Sequence, residues 1–200
     1  MDQLVDPCSW RSDSRLALAA YTLLLLRREG RMGRKGLAEL LDVGEATGRT
    51  VLSKLKSAGL AEADRGGARL TPEGERRAEE LGGLVDIAEA ELPERYGNRI
   101  ACLIVKEGCG SLGTGVAHRD EAVKGGADGA LILVRRNGKY SFPDWMHDYP
   151  LRLTPEAPEG ACVVISWAAS GALAINGAMR AASSIICSGR GPGRRDAGLA

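Results

Sequence analysis

The residues best suited to chemistry in this 200-residue chain are short hydroxyls and cations at three- and four-residue spacing. Arg49, Thr50, Ser53 and Ser57 recur between Glu45 and Ala58, with Lys54 at their margin. At 100° per residue they share one side of a helix, while Gly48, Val51, Leu52 and Leu55 share the other. Short side chains let a helix approach a rigid surface closely. Long cations reach past them to phosphates or to the acceptor edge of guanine. The chemistry expected of such a face is recognition of a polyanion. A helix that merely faces solvent more often carries Glu–Lys pairs at i,i+4, and this one has none. Four further cations flank it: Arg34 and Lys35 before, Arg65 and Arg69 after.

The elements around these residues follow from capping and turn signals. A first helix is expected over 14–29, capped by Ser12 or Ser14 and stopped by Gly30. A second covers 34–41, with Leu37, Ala38, Leu40 and Leu41 on its buried side. Asp42-Val43-Gly44 makes the turn, with Gly44 free to take a positive φ. The third helix covers 45–58. Two strands, 60–64 and 68–71, are joined at Arg65-Gly66-Gly67, where Gly-Gly suits a tight hairpin. Thr71 and Pro72 then start a new helix, as cap and first helical residue.

The stretch KSAGLAEADRGGARLTPEGERR, read with the two helices before it, resembles winged helix-turn-helix transcriptional regulators over residues 14–80. The whole layout is similar to a group of archaeal proteins in which such a domain precedes an uncharacterised C-terminal domain. The resemblance implies contacts to double-stranded DNA from the third helix and the hairpin, at the positions named above.

Charge agrees with that division. The net charge is +1, yet residues 27–57 hold eight bases against four acids and residues 81–200 are neutral. Five cysteines show no Cys-x-x-Cys pair, so reduced thiols in a cytoplasm are expected, with Cys102 and Cys162 in the core. The run LALAAYTLLLL is too short for a membrane span, which needs about 20 apolar residues. It is apolar on nearly every face. Either a second subunit or the C-terminal half must cover the excess.

A helix is expected over 73–92, weakened at Gly82-Gly83. Its stripe Leu81, Leu84, Val85, Ala88 and Leu92 either pairs two subunits or packs on its own chain. The domains are therefore drawn as 1–80, a connecting helix and linker over 81–97, and a third segment over 98–187. That segment is read as an α+β two-layer α/β sandwich, its sheet covered on one face by helices. Strands are expected over 99–106, 129–135, 140–142, 151–154 and 161–167, with helices over 118–124 and 170–186. The tail 188–200 is Gly- and Arg-rich and is read as disordered.

The C-terminal half carries no catalytic signature, metal cluster or phosphate loop, and no cofactor is implied. Its candidate ligand residues are Gly110 and Gly113 in a glycine-rich loop, Arg119 at a helix start, and Asp144 and His147 on a Trp-bearing loop. The functional expectation is a cytoplasmic, homodimeric, DNA-binding transcriptional regulator. Its C-terminal unit takes an effector or supports assembly. Two alternatives stay open: an enzyme whose C-terminal cavity gathers Asp144, His147 and Arg119, and a protein-interaction module in which the third helix is buried.

Overall fold

Every residue from Leu16 to Leu26 except Leu18 is buried in the first helix, α1 (Ser14–Glu29), which runs through the centre of the molecule. Its cover comes from its own chain. The computed structural model, which describes residues 2–92, 96, 99–144 and 147–189, packs α1 against both ends of the sequence. The cap of α1 is Asp13, whose carboxylate accepts the Arg15 N–H at 2.8 Å, in place of the expected Ser12 or Ser14. Gly30 ends the helix at φ +74°, as its sequence position suggests.

After α1 come β1 (Arg31–Met32), α2 (Arg34–Leu41), α3 (Glu45–Ser57), β2 (Ala61–Asp64), β3 (Gly67–Leu70) and α4 (Pro72–Leu84). The strands form an antiparallel sheet in the order β1-β3-β2, with Glu62 opposite Arg69. The short strand β1 carries no sequence signal of its own and exists by pairing with β3. In α3 the buried residues are Gly48, Val51, Leu52 and Leu55, the side that 3.6-residue periodicity assigns to the core. Leu40 of α2, expected inside, is exposed. The turn before α3 differs from expectation. Asp42 takes the left-handed conformation at φ +49°, while Gly44 is extended at φ −64°. Aspartate is among the few non-glycine residues that tolerate that region, and here its carboxylate is held by Gly171 and Arg99. Thr71 caps α4 by accepting the Gly74 N–H at 3.0 Å.

The helix expected over 73–92 stops at Leu84. Val85–Glu91 is instead a strand, β4. Gly82-Gly83 lowers the cost of leaving the helix, and the β-branched Val85 and Ile87 then alternate onto a sheet face. Leu81, Val85 and Ala88 are buried within the chain, and Leu84 and Leu92 are partly buried against its two cores, so the stripe packs on its own chain. The connector drawn as 81–97 thereby contributes a strand to the C-terminal sheet.

That sheet has seven antiparallel strands in the order β8-β7-β6-β10-β5-β4-β9. They are β5 (Ile100–Val105), β6 (Gly129–Arg136), β7 (Lys139–Ser141), β8 (Asp148–Tyr149), β9 (Arg152–Thr154) and β10 (Cys162–Trp167), with α5 (Val116–Lys124) and α6 (Gly171–Gly189). Asn137 and Gly138 both take positive φ and close the tight β6–β7 hairpin. Helices cover one face, where Leu103, Val105, Ile132 and Val164 join α1 and α6 in one large core. The opposite face is buried too, which corrects the expected one-sided sandwich. Ile104, Leu133, Val163 and Ile165 form a second core with Tyr140 of β7 and Leu153 of β9. Strands from both margins meet in that cluster, so the sheet curls around it. Runs such as CLIV and CVVI are apolar at consecutive positions because both faces are dry.

The cysteines are paired, against the expectation of free thiols. Cys8 bonds Cys187 and Cys109 bonds Cys162, leaving Cys102 free and buried. Spacing could not show this, because the partners lie 179 and 53 residues apart. Helix α6 runs on to Gly189, into the segment expected to be disordered. The remainder of that tail, 190–200, lies outside the described residues, as do Trp145 and Met146.

Because α1 joins the two ends of the chain, Leu23→Ala in its centre is expected to cost about 2–5 kcal/mol, the usual range for a large core truncation. Urea unfolding should report it as one cooperative transition at a lower midpoint.

Candidate nucleic-acid interface and ligand cleft

A cleft of about 430 Å³ lies between α3 and the β2–β3 hairpin. Arg34 enters it from the start of α2, Arg49, Ser53 and Lys56 from α3, and Arg65 from the hairpin tip. The helix face is solvent-exposed at Arg49, Thr50, Ser53, Lys56 and Ser57. The Thr50 hydroxyl donates back to the Ala46 carbonyl at 3.0 Å, so its oxygen is left to accept.

The charges here are unbalanced. Arg34, Arg49, Lys56 and Arg65 make no ion pair among the described residues. The one acid in the cleft, Asp64, is already committed. It accepts the Gly66 N–H at 2.7 Å and is held by Arg31 at 3.1 Å. The Gly66 amide first, then the arginines, keep its carboxyl below the ordinary range. Four cations around one concave surface focus a positive potential.

The other expected contact residues are placed differently. Lys54 is half-buried and pairs with Asp13 at 3.7 Å, away from the cleft. Lys35 pairs with Glu39 at 3.9 Å, and Arg69 is matched across the hairpin by Glu62 at 2.7 Å. Lys56 was overlooked, although it follows Arg49 by seven residues and so must share its face.

The turn that sets the angle of α3 is fixed from the far end of the chain. Asp42 accepts the Gly171 N–H at 2.9 Å, at the first residue of α6, and pairs with Arg99 at 2.5 Å. The Gly171 amide is the main cause holding the Asp42 carboxyl below its usual range, with Arg99 adding to it. The helix-start position of Gly171 suits a carboxylate.

The C-terminal candidates divide. Arg119 and Asp144 line one cleft of about 390 Å³ with Thr114, Gly115, Leu131 and Phe142. His147 is exposed and does not line it. Gly110 and Gly113 are also elsewhere, in a loop whose Ser111 and Gly115 amides turn inward to the carbonyls of Gly108 and Leu112. That loop reverses the chain and is tied down through Cys109.

His118, beside Arg119, is buried, and its Nδ1 lies 2.9 Å from Ser184 Oγ. Burial holds its pKa below the ordinary 6.5. The unfolded chain therefore takes up a proton near pH 6.5 that the native chain resists. The stabilisation is complete above that pH and is lost as pH falls from there through the native value. Urea midpoints followed from about pH 7.5 to 5 should decline, and His118→Gln should flatten that slope. An unchanged slope in the variant would remove His118 as its source.

Among the described residues no helix is long and apolar enough to cross a membrane, and no group of three or more His, Cys, Asp or Glu is arranged to hold a metal. Residues 96–185 match a domain of unknown function, DUF4443. No curated protein matches the sequence. Among solved structures, the chain is similar to hypothetical protein PH0730 from Pyrococcus horikoshii OT3, at 24% identity and a TM-score of 0.68. The match covers 86% of this chain and 92% of that one, so the shared fold extends beyond residues 96–185.

Proposed function

We propose that the chain is a DNA-binding transcriptional regulator whose N-terminal unit is a winged helix-turn-helix. In this reading α3 enters the major groove and the β2–β3 hairpin is the wing. The observation that carries it is the open cleft between them, where Arg34, Arg49, Lys56 and Arg65 have no acidic partners among the described residues. Short Ser53 and Thr50 beside them permit close approach to base edges. Exposure of this face also disfavours the protein-interaction alternative, which needs it covered.

The C-terminal unit takes an effector or supports assembly. A homodimer would set two α3 helices at half-sites about 34 Å apart. Its interface would lie away from α4, whose apolar stripe is used internally. The Asp42 contacts with Gly171 and Arg99 give that unit a direct hold on the turn before α3.

The test is selection of bound duplexes from genomic fragments, followed by fluorescence anisotropy at several salt concentrations. Four phosphate contacts per chain give a slope of log K against log salt of about −3.6 for one bound chain and about −7 for the dimer. A chain that selects no sequence, and whose weak binding lacks that salt dependence, is not a regulator of this kind.

A further inference from the structure

We propose that the cleft between α5, β6 and the residues after β7 binds a small α-amino acid with an apolar side chain. The inference rests on the reading of the C-terminal unit as a sensing unit and names what it senses.

The cleft runs along β6 at Ala130, Leu131 and Ile132, with Phe142 beyond β7, and apolar residues make up most of its lining. Val116 at the start of α5 also lines the cleft and is 48% exposed. The β6 residues are already buried, so the open apolar surface is that of Val116 and half-buried Phe142, and it gains free energy when a ligand covers it. Two opposite charges share that concavity. Arg119 reaches only its neighbour Asp120, at 3.7 Å, and Asp144 makes no ion pair among the described residues. Both line the cleft, yet they do not close on each other. A ligand carrying a carboxylate and an ammonium on one carbon satisfies both, with its side chain on the apolar lining. At about 390 Å³ the cleft is near the lower end of ligand sites, which suits a single amino acid.

The experiment uses the full chain without DNA, so failure here and failure of DNA binding are separate results. L-leucine and L-phenylalanine are titrated by calorimetry, alongside 4-methylpentanoate, which lacks the amine, and 3-methylbutylamine, which lacks the carboxylate. One or both amino acids should bind and raise the melting temperature by mass action. Each truncated analogue should bind about tenfold more weakly or worse. Arg119→Ala and Asp144→Ala, both at exposed positions, should each weaken amino-acid binding by a similar factor, with native far-UV dichroism. The proposal is overturned by no detectable binding of either amino acid, by equal binding of the acid or amine alone, or by binding that survives both variants.

Discussion

Arg49→Glu and Lys56→Glu together are expected to reduce duplex binding by about a hundredfold or more. A cation that contacts a base edge or phosphate is worth about 1–3 kcal/mol, and each 1.4 kcal/mol is tenfold. Reversal also places two carboxylates in a cleft built around cations, adding repulsion to the lost attraction. The slope of log K against log salt should become shallower by about one for each contact removed. Both side chains are exposed, so the melting temperature should hardly move. Lys54→Ala is the internal control. Its ammonium pairs with Asp13 outside the cleft, so that variant should bind nearly as well as the parent. If Lys54→Ala were the damaging change and the double reversal harmless, the face assigned to DNA would be the wrong one.

The contrast between Lys54 and Lys56 illustrates what periodicity can and cannot decide. Alternation of apolar and polar residues separated the two sides of α3 correctly, because Val51, Leu52 and Leu55 must be dry in any compact arrangement. It could not say which marginal cation meets an acid, because Asp13 belongs to the entry of α1. The same limit hid the Glu62–Arg69 pair, which depends on strand register. Some helix boundaries were legible because caps are local, although Asp13 took the place of the expected serine cap of α1 and α4 stopped short at Leu84. Thr71 and Pro72 opened α4 as written, and Gly30 closed α1. The turn before α3 was misassigned to Gly44 because glycine is the usual residue there. Asp42 takes that conformation instead, and it answers to Gly171 and Arg99 rather than to its neighbours.

In the C-terminal half, β5, β6 and β10 announced themselves, but β4, β8 and the order of the sheet did not. Consecutive apolar residues in β5, β6 and β10 imply two dry faces, but they do not say what covers the second. The cover comes from Tyr140, Leu151 and Leu153, on segments that read as strands but whose place in the sheet no local pattern fixes. β4 was hidden behind a plausible helical stripe, because Leu81, Val85 and Ala88 satisfy a helical period as well as their actual helix-then-strand path. Only the partner strand β5 decides between them. The grouping of residues in the cleft beside α5 was half legible. Arg119 and Asp144 were suspected one by one, and the fold brings those two together while leaving His147 outside.

Breaking the Cys8–Cys187 bond is expected to lower stability by about 2–4 kcal/mol, the usual range for a native disulfide. The link spans 179 residues of chain, and loop-closure entropy alone would set the figure at about 5 kcal/mol. A chain that retains residual contacts when unfolded gains less, hence the lower range. The N-terminal segment that carries Cys8 packs along α6 and buries Trp10 completely, with the indole N–H donating to the Leu4 carbonyl at 3.0 Å. Those contacts stay available after reduction, so Cys8→Ser should remain folded while melting roughly 4–16 °C lower. The two bonds should also part in order. Cys8 is exposed, whereas Cys162 is fully buried, so a mild reductant should free two thiols well before the remaining pair. Timed alkylation of the native chain can count them, and Cys102 should stay unlabelled until unfolding because burial both hides it and raises its thiol pKa. Four thiols released together at the rate of global unfolding would mean that neither bond is accessible in the folded state, and the assignment of Cys8–Cys187 as an exposed clasp would fail.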